Sequence, residues 1–258
     1  MYNAGQRRLR IPIFHHHGAD TGTVMDSSSG NLSTQNRQNL ANLLAAIKVA
    51  GFQEVEIGFF PMDDNSPMSW DAWNEDRYQE NWNFIWNLRP LIAAANIPYR
   101  IDLSNEAMPM STDSQPLKDY CKKLWSDYTW NFGKNDTVGF SMTVWIADRV
   151  SQVPVVYSGN PPNTFEFHLY RDSWNGNEYK WLVDGFNKMK SMGLNQPIII
   201  GETFYNDATA AGNIRRAITD TGVNITHVTQ WALTSSKKCG DIDVAPPSAY
   251  NNFIAKGF

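Results

Sequence analysis

The chain has little cysteine and no long apolar run. Two cysteines in 258 residues, Cys121 and Cys239, exclude a disulfide scaffold and a Cys₄ zinc site. We expect two isolated buried thiols, and a single bridge is the alternative. No segment reaches the roughly 18 apolar residues of a membrane-spanning helix. The first eight residues lack the apolar stretch of a signal peptide, so the sequence leaves the compartment open.

Charged residues are also few, and acidic and basic residues are present in similar numbers. Charged residues make up 19 % of the chain, and the formal net charge is −4. Nucleic-acid backbones require clustered Lys and Arg, so we expect no nucleic-acid partner. Hydrophobic residues at 42 % and aromatic residues at 13 % exclude disorder and predict one large apolar core.

Strand-like and helix-like segments alternate along the whole chain, which predicts a parallel sheet covered by helices. The predicted strands are Leu9–His15, Glu54–Phe60, Pro98–Leu103, Thr137–Thr143, Thr164–Tyr170, Pro197–Gly201 and Ile225–Leu233. The predicted helices are Gln35–Ala50, Arg77–Ala95, Pro116–Phe132, Glu178–Met192, Asp207–Thr219 and a last one after Pro246-Pro247. No linker or repeat divides this pattern, so residues 1–258 form a single domain.

The strand ends distinguish between two parallel-sheet architectures. An open dinucleotide-binding sheet needs a glycine-rich turn between a strand and a helix, and no predicted strand here ends in one. Polar, aromatic and carboxylate residues follow several strands instead. Functional groups at the carboxyl ends of many strands are typical of a (β/α)₈ TIM barrel, which is the fold that we predict.

Two glutamates, Glu106 and Glu202, each follow a predicted buried strand. In a barrel both side chains project into one cleft, where like charges raise the pKa of one carboxyl group. Such a pair supplies an acid and a nucleophile at neutral pH. Retaining glycosidases need this equipment, with the carboxyl groups about 5–5.5 Å apart.

The ordered set of strand-end residues resembles glycoside hydrolase clan A, the retaining barrel glycosidases such as families 5 and 39. Asp102-Leu103-Ser104-Asn105-Glu106-Ala107 resembles the strand-four segment that ends in the acid/base. Ile199-Ile200-Gly201-Glu202 resembles the strand-seven segment that carries the nucleophile. Four further residues match clan positions: Arg10 on strand two, His168 and Tyr170 after strand six, and Trp231 on strand eight.

The resemblance implies a role for each residue in cleaving a β-glycosidic bond of an oligo- or polysaccharide, without cofactor or metal. Glu202 would attack the anomeric carbon, and Glu106 would protonate the leaving oxygen and then activate water. Asn105 would bind the sugar 2-hydroxyl, and His168 and Tyr170 would hold the nucleophile and the proton balance. Arg10 would hydrogen-bond the nucleophile, and Trp231 would form the floor of the sugar subsite.

The tryptophans add candidate sugar platforms. An indole in a polar loop exposes a flat apolar face that a sugar ring can cover. We therefore expect Trp145 and Trp174 to bind substrate, together with His15, and we note Trp70 and Trp73 in another polar loop. Four other tryptophans lie on helical stripes and are expected in the core: Trp82, Trp86, Trp125 and Trp181.

The clan pattern makes Leu9–His15 the second strand, so the barrel is expected to be incomplete at its first strand. An alternative count treats Val153–Tyr157 as a strand and Leu9–His15 as the first. In the preferred count two strand edges stay unpaired, which predicts self-association unless something covers them.

Two other functions remain open from the sequence. A barrel that binds carbohydrate without cleaving it would share the aromatic features and both glutamates. A metal-dependent hydrolase is the less favoured alternative, because His15, His17 and His168 lack the further ligands that this class needs.

Overall fold

The computed structural model describes residues 1–172, 176–231 and 250–258. The strands are β1 (Arg8–His16), β2 (Met25–Asp26), β3 (Glu54–Pro61), β4 (Tyr99–Asp102), β5 (Thr137–Gly139), β6 (Phe165–Leu169), β7 (Ile198–Thr203) and β8 (Ile225–Val228). The helices are α1 (Thr34–Val49), α2 (Glu75–Ala94), α3 (Gln115–Phe132), α4 (Ile146–Ser151), α5 (Val153–Tyr157), α6 (Glu178–Ser191), α7 (Ala208–Thr221) and α8 (Asn251–Ile254).

Every ladder between these strands is parallel. One sheet has the order β2-β1-β3-β4-β5, and a second has the order β6-β7-β8. A parallel bridge between Met142 and Phe167 joins the two sheets just beyond β5. Apart from the two-residue β2 at the edge, the strands that follow one another along the chain are therefore also neighbours in space, with helices between them. The predicted α/β fold with a parallel sheet is confirmed.

The helices begin where the sequence supplies a capping side chain. Ser33, Asn74, Ser114, Asn177 and Asp207 each accept a hydrogen bond from a backbone N–H of the first turn of the helix that follows. Such caps satisfy N–H groups that have no partner inside the helix. Each long helix then packs an apolar stripe on the sheet, so the strand ends are held in a fixed frame.

Side chains from distant strands meet, which requires the sheets to curl around a common centre. The guanidinium group of Arg10 on β1 reaches Asp102 on β4, Glu166 on β6 and Glu202 on β7, at 2.6–3.0 Å. Flat sheets could not bring these strands together. Among the described residues, however, no backbone ladder joins β8 to β1. We call this gap the seam.

Each predicted strand and helix has a counterpart in the structure, but several bounds differ. The strand predicted at Thr137–Thr143 ends at Gly139, the two-residue β2 was not predicted, and the start predicted for the last helix lies outside the described residues. Val153–Tyr157 is the helix α5, so the alternative strand count is wrong and β1 takes the place of the second barrel strand. The last predicted strand ends at Val228, and its residues 232–233 lie outside the described residues. No described helix is long and apolar enough to cross a membrane. Cys121 is buried, and Cys239 lies outside the described residues.

Candidate active site

Arg10 lies at the centre of the barrel mouth, with its side chain 4 % exposed. Its Nε donates to Glu56 at 2.7 Å and to Glu166 at 3.0 Å, and its Nη1 donates to Glu202 at 2.6 Å. Its Nη2 donates to Asp102 at 2.8 Å and to Asn105 Oδ1 at 2.9 Å. Burial opposes the charge on this guanidinium, but the surrounding carboxylates outweigh burial and raise the pKa of Arg10.

Strand alternation and two glycines create the space for this cluster. Residues two apart on a strand face the same side, so Glu166 and His168 both point inward from β6. A Cβ atom at Gly58 would lie 2.8 Å from Arg10 Nη2, and one at Gly201 would lie 1.7 Å from Glu166 Oε1. Both glycines are therefore needed for close approach of a charged side chain to the backbone.

Glu202, at the carboxyl end of β7, is held at both oxygens. Arg10 donates to Oε1, and the Tyr170 hydroxyl donates to Oε2 at 2.9 Å. Burial and the negative charge of Glu202 together raise the pKa of Tyr170, so this hydroxyl keeps its proton and remains a donor. The carboxylate of Glu202 is thereby oriented by two donors from different strand ends.

Glu106 follows β4 in an irregular turn. Its φ is 55°, in the left-handed region that few side chains adopt, and its N–H donates to Ser141 Oγ at 2.7 Å. The preceding Asn105 is fixed as well, because its N–H donates to the Phe59 carbonyl at 2.8 Å. Since arginine is only a donor, the contact to Arg10 must use the amide oxygen of Asn105. Its amide nitrogen is thus the donor that a sugar hydroxyl could meet.

His168 lies between the two candidate catalytic carboxylates. Its Nδ1 is 3.1 Å from Glu106 Oε1 and 3.6 Å from Glu202 Oε2, and its Nε2 is 2.9 Å from Glu166 Oε1. One atom each of Glu106, His168 and Glu202 lies within 4.8 Å of the others. The structure therefore brings together two glutamates that are 96 positions apart in the sequence (202 − 106).

The protonation states follow from these contacts. Burial disfavours the charged imidazole, but the charge of Glu202 and hydrogen bonds to two other carboxylates raise the pKa of His168 to about 10. Burial raises the pKa of Glu106, but the hydrogen bond and charge of His168, with smaller contributions from Thr143 and Arg149, together outweigh burial, so the net shift is downward. In the ligand-free protein the proton thus lies on His168 and not on Glu106. The expected rise in the pKa of one catalytic carboxyl group is not found at Glu106.

Three buried carboxylates complete the cluster and were missed in the sequence. Burial raises the pKa of Glu56 well above its usual value and that of Asp102 to about 7. Glu166 is also buried, but the charge of Arg10 and contacts to His168 lower its pKa to about 2. A charged residue inside an otherwise apolar strand, as in Phe165-Glu166-Phe167, was the signal that could have revealed them.

His15 is a correction to the predicted substrate-binding set. Its side chain is 1 % exposed, Nδ1 is 3.0 Å from Ser27 Oγ, and the ring stacks on Phe84 at 4.2 Å. Alternation along β1 explains this, because His15 is an odd number of positions from Arg10 and faces the helices. His17 lies farther along and contacts Glu80 at 2.9 Å.

The tryptophans singled out in the sequence have different surroundings in the structure. Trp231 lies near Phe60 with ring centroids 6.0 Å apart, and Trp145 begins α4 with 46 % of its surface exposed. Trp174 lies outside the described residues. Trp70 is buried and its Nε1 donates to the Asp64 carbonyl, so it is a core residue and no platform. Of the tryptophans expected in the core, Trp125 and Trp181 are buried, whereas Trp82 is half-buried and Trp86 is exposed.

Within the part of the chain that the structure describes, two groups have the spacing of metal ligands: Asp102, Glu166 and His168, and Glu106, His168 and Glu202. Both use His168, and a metal ligand must be a neutral imidazole. Because the pKa of His168 is raised to about 10, this side chain carries a proton at neutral pH. Arg10 and His168 already supply the positive charge that a cation would bring, so the donor set does not favour a metal.

The comparisons with known proteins identify the fold. No family model and no curated protein match the sequence. A Bacteroides ovatus GH5 xyloglucanase in complex with a XXXG heptasaccharide superimposes with a TM-score of 0.60 at 12 % identity, over 99 % of this chain and 65 % of that one. A β-mannanase from Thermomonospora fusca gives 0.57 at 12 % identity, over 91 % and 72 %. A psychrophilic glycoside hydrolase family 10 endo-β-1,4-xylanase gives 0.57 at 12 % identity, over 100 % and 98 %.

The chain has the fold of these glycoside hydrolases. It shares with them the parallel strands and surrounding helices of a barrel, and its two candidate glutamates lie at the carboxyl ends of β4 and β7, where barrel enzymes place their active sites. Because one fold supports many chemistries, the function has to be inferred from the groups at this mouth.

Proposed function

We propose that the protein is a retaining glycoside hydrolase that cleaves β-glycosidic bonds of an oligo- or polysaccharide by double displacement. The observation that carries the proposal is the approach of Glu106 and Glu202, whose nearest oxygens lie within 4.8 Å. This separation suits the about 5–5.5 Å of retaining enzymes and is too short for the about 6.5–9.5 Å of inverting ones.

Glu202 is the proposed nucleophile. Arg10 and Tyr170 bind its two oxygens, so the carboxylate cannot rotate away from an anomeric carbon placed above it. A bond forms between a Glu202 oxygen and that carbon while the bond to the leaving oxygen breaks. Loss of the Glu202 charge in this step also removes the largest contribution that raises the pKa of His168.

Glu106 is the proposed acid and base. Its side chain is 30 % exposed in the ligand-free protein, and a bound sugar would cover it. Removing water from a carboxylate raises its pKa, so substrate binding itself would favour the protonated acid. After the leaving group departs, the same carboxylate would take a proton from water, which then releases the sugar from Glu202.

The remaining predicted residues are proposed to bind the sugar. The amide nitrogen of Asn105 would donate to a hydroxyl next to the anomeric carbon, a contact that strengthens as positive charge develops there. Trp231 would support the apolar face of the ring beside Phe60, and the exposed ring of Trp145 would hold a more distant sugar. Trp174 is retained as a candidate on sequence grounds.

The decisive experiment combines one substitution with trapping of the intermediate. We expect Glu202→Gln to reduce turnover by about 10⁴-fold or more, because the amide cannot form the glycosyl bond, while calorimetry still detects oligosaccharide binding. A panel of 2-deoxy-2-fluoro β-glycosides should label the peptide that contains Glu202, as read by mass spectrometry. Glu75→Gln, at an exposed carboxylate, is the matched control and should leave turnover unchanged. Label on another carboxylate would reassign the nucleophile.

The lowered pKa of Glu106 favours a second candidate, a carbohydrate-binding barrel without catalysis. The pH dependence separates the two. For an enzyme, kcat/KM reports groups of the free protein and kcat those of the complex. Because the pKa of Glu106 is lowered in the free protein, we expect kcat/KM to fall already below the pH of about 4.3 at which an ordinary glutamate loses its proton. We expect kcat to fall at higher pH, where the covered Glu106 loses its proton. Oligosaccharide binding without release of reducing ends at any pH would favour the binding protein.

A further inference from the structure

The seam between β1 and β8 contains a cleft of about 560 Å³. One wall is formed by residues 5–8 at the start of β1, and the other by residues 225–228 of β8, with α7 and α8 on the outside. This volume lies within the range of specific ligand sites, about 300–1,000 Å³. None of the residues that line the cleft belongs to the cluster around Glu202, so the cleft is distinct from the candidate active site.

Among the described residues, no backbone ladder joins the facing edges of β8 and of residues 8–13 of β1. β8 pairs with β7 alone, and the edge of β1 toward β8 pairs with β2 only at His15 and His16. All ladders of the fold are parallel, so β1 and β8 point the same way. An unpaired edge presents a row of N–H and C=O groups. A single strand between them could bond to both edges.

A buried side-chain atom at the cleft also lacks a hydrogen-bond partner among the described residues. Gln6 is 7 % exposed, and its Oε1 accepts no hydrogen bond there. The neighbouring Arg8 Nε already lies 3.6 Å from Glu54 Oε2 and is ion-paired. Gln6 Oε1 therefore needs a donor. A peptide backbone offers N–H donors, whereas a simple anion offers none.

The charge of the cleft points to an acidic occupant. Arg7 and Arg215 line it, and within residues 1–172, 176–231 and 250–258 their hydrogen bonds go to backbone carbonyls only. The described lining contains no Asp or Glu side chain, and Val223, Ile225 and Phe253 give one part of it an apolar surface. A strand that alternates apolar and acidic residues would complement both features.

We propose that the seam binds an extended acidic peptide as an additional parallel strand between β1 and β8. Its backbone bonds to the two open edges, its apolar side chains cover the wall around Ile225 and Phe253, and its carboxylates pair with Arg7 and Arg215. This is β-strand addition at a preformed site. It is independent of glycoside cleavage at the mouth of the barrel.

The test uses the full chain and a fluorescein-labelled peptide, Gly-Glu-Val-Thr-Val-Glu-Val-Gly, with blocked ends. We expect saturable binding by fluorescence anisotropy and at least tenfold slower amide hydrogen exchange in residues 225–228 and 8–13. A peptide of the same sequence with alternate amide nitrogens methylated keeps charge and apolar surface but cannot donate to the edges, so it should bind at least tenfold more weakly. Replacing both glutamates of the peptide by lysine should have a similar effect.

Two substitutions in the protein test whether the peptide binds in the cleft. Arg215→Gln should weaken peptide binding by about threefold to tenfold, whereas Lys180→Gln, at an exposed lysine of α6 outside the cleft, should not change it. Equal binding of the methylated peptide, or protection confined to other strands, would overturn the proposal. So would a dimer in light scattering whose β8 amides are protected without peptide, because a second copy would then occupy the seam.

Discussion

Polar groups have many hydrogen-bond partners at the mouth of the barrel and few at the seam. At the mouth, the three guanidinium nitrogens of Arg10 have five side-chain acceptors within 3.0 Å. At the seam, no backbone ladder joins β1 to β8 among the described residues, and Gln6 Oε1 has no donor there. The same strand, β1, takes part in both. Side-chain contacts across the barrel therefore hold β1 against β6 and β7, in the place of a backbone ladder with β8.

Replacing Arg10 with methionine should cause the largest loss in the free energy of unfolding, because it removes the contacts that hold β1 at the mouth. The carboxylates that surround it would lose their shared cation, and breaking a buried ion cluster typically costs about 3–5 kcal/mol. We expect a loss of this size in the free energy of unfolding, measured by urea denaturation. Lys180→Met removes an exposed i,i+4 pair with Asp184 and should cost about 0.5 kcal/mol or less. Equal losses in the two variants would mean that Arg10 does not brace β1.

The second prediction concerns the proton on His168. Its folded-state pKa is raised from 6.5 to about 10, so its contribution to stability is complete below pH 6.5 and is lost as the pH rises toward 10. The pKa of Asp102, raised to about 7, acts in the same direction at lower pH. We expect the unfolding free energy to fall between pH 6.5 and 10, and His168→Gln to flatten that window. An unchanged slope in the variant would contradict the assignment of the proton.

The smallest change in the free energy of unfolding is expected for His227 at the seam. Its pKa is lowered, whereas that of His168 is raised. Burial lowers its pKa to about 4, so its unfolded form binds a proton more readily than its folded form. Stability should therefore fall as the pH drops from 6.5 to 4. His227→Gln should reduce this acid sensitivity and leave the alkaline window unchanged. Buried His15, with its pKa lowered to about 3, adds to the same acid loss in both proteins, and identical acid slopes would count against His227.

Much of the fold and part of the site could be predicted from local patterns. The strands and helices follow from apolar periodicity and capping residues, which depend on near neighbours in the chain. Glu106 and Glu202 could be placed together because parallel strands end on the same side of a barrel, whereas Arg10 was placed beside the nucleophile by the family resemblance alone. His15 could also have been placed correctly, because its odd spacing from Arg10 on one strand puts it on the opposite face.

The rest depends on the curvature of the sheet. No local pattern predicts that Glu56, Asp102 and Glu166 all contact the guanidinium group of Arg10, because these residues lie on three different strands. The protonation state of Glu106 depends on its distance to His168, 62 positions along the chain. The burial of Trp70 depends in the same way on its packing against Tyr120 of α3.

Gly201 has a consequence for anyone who transplants this constellation into another barrel. Because a methyl group at residue 201 would lie 1.7 Å from the Glu166 oxygen, an alanine there and a glutamate at 166 exclude each other sterically. A designer who copies only the charged residues onto a scaffold with alanine at this site would displace the acid that accepts from both Arg10 and His168. The missing side chain has to be copied together with the ones that are present.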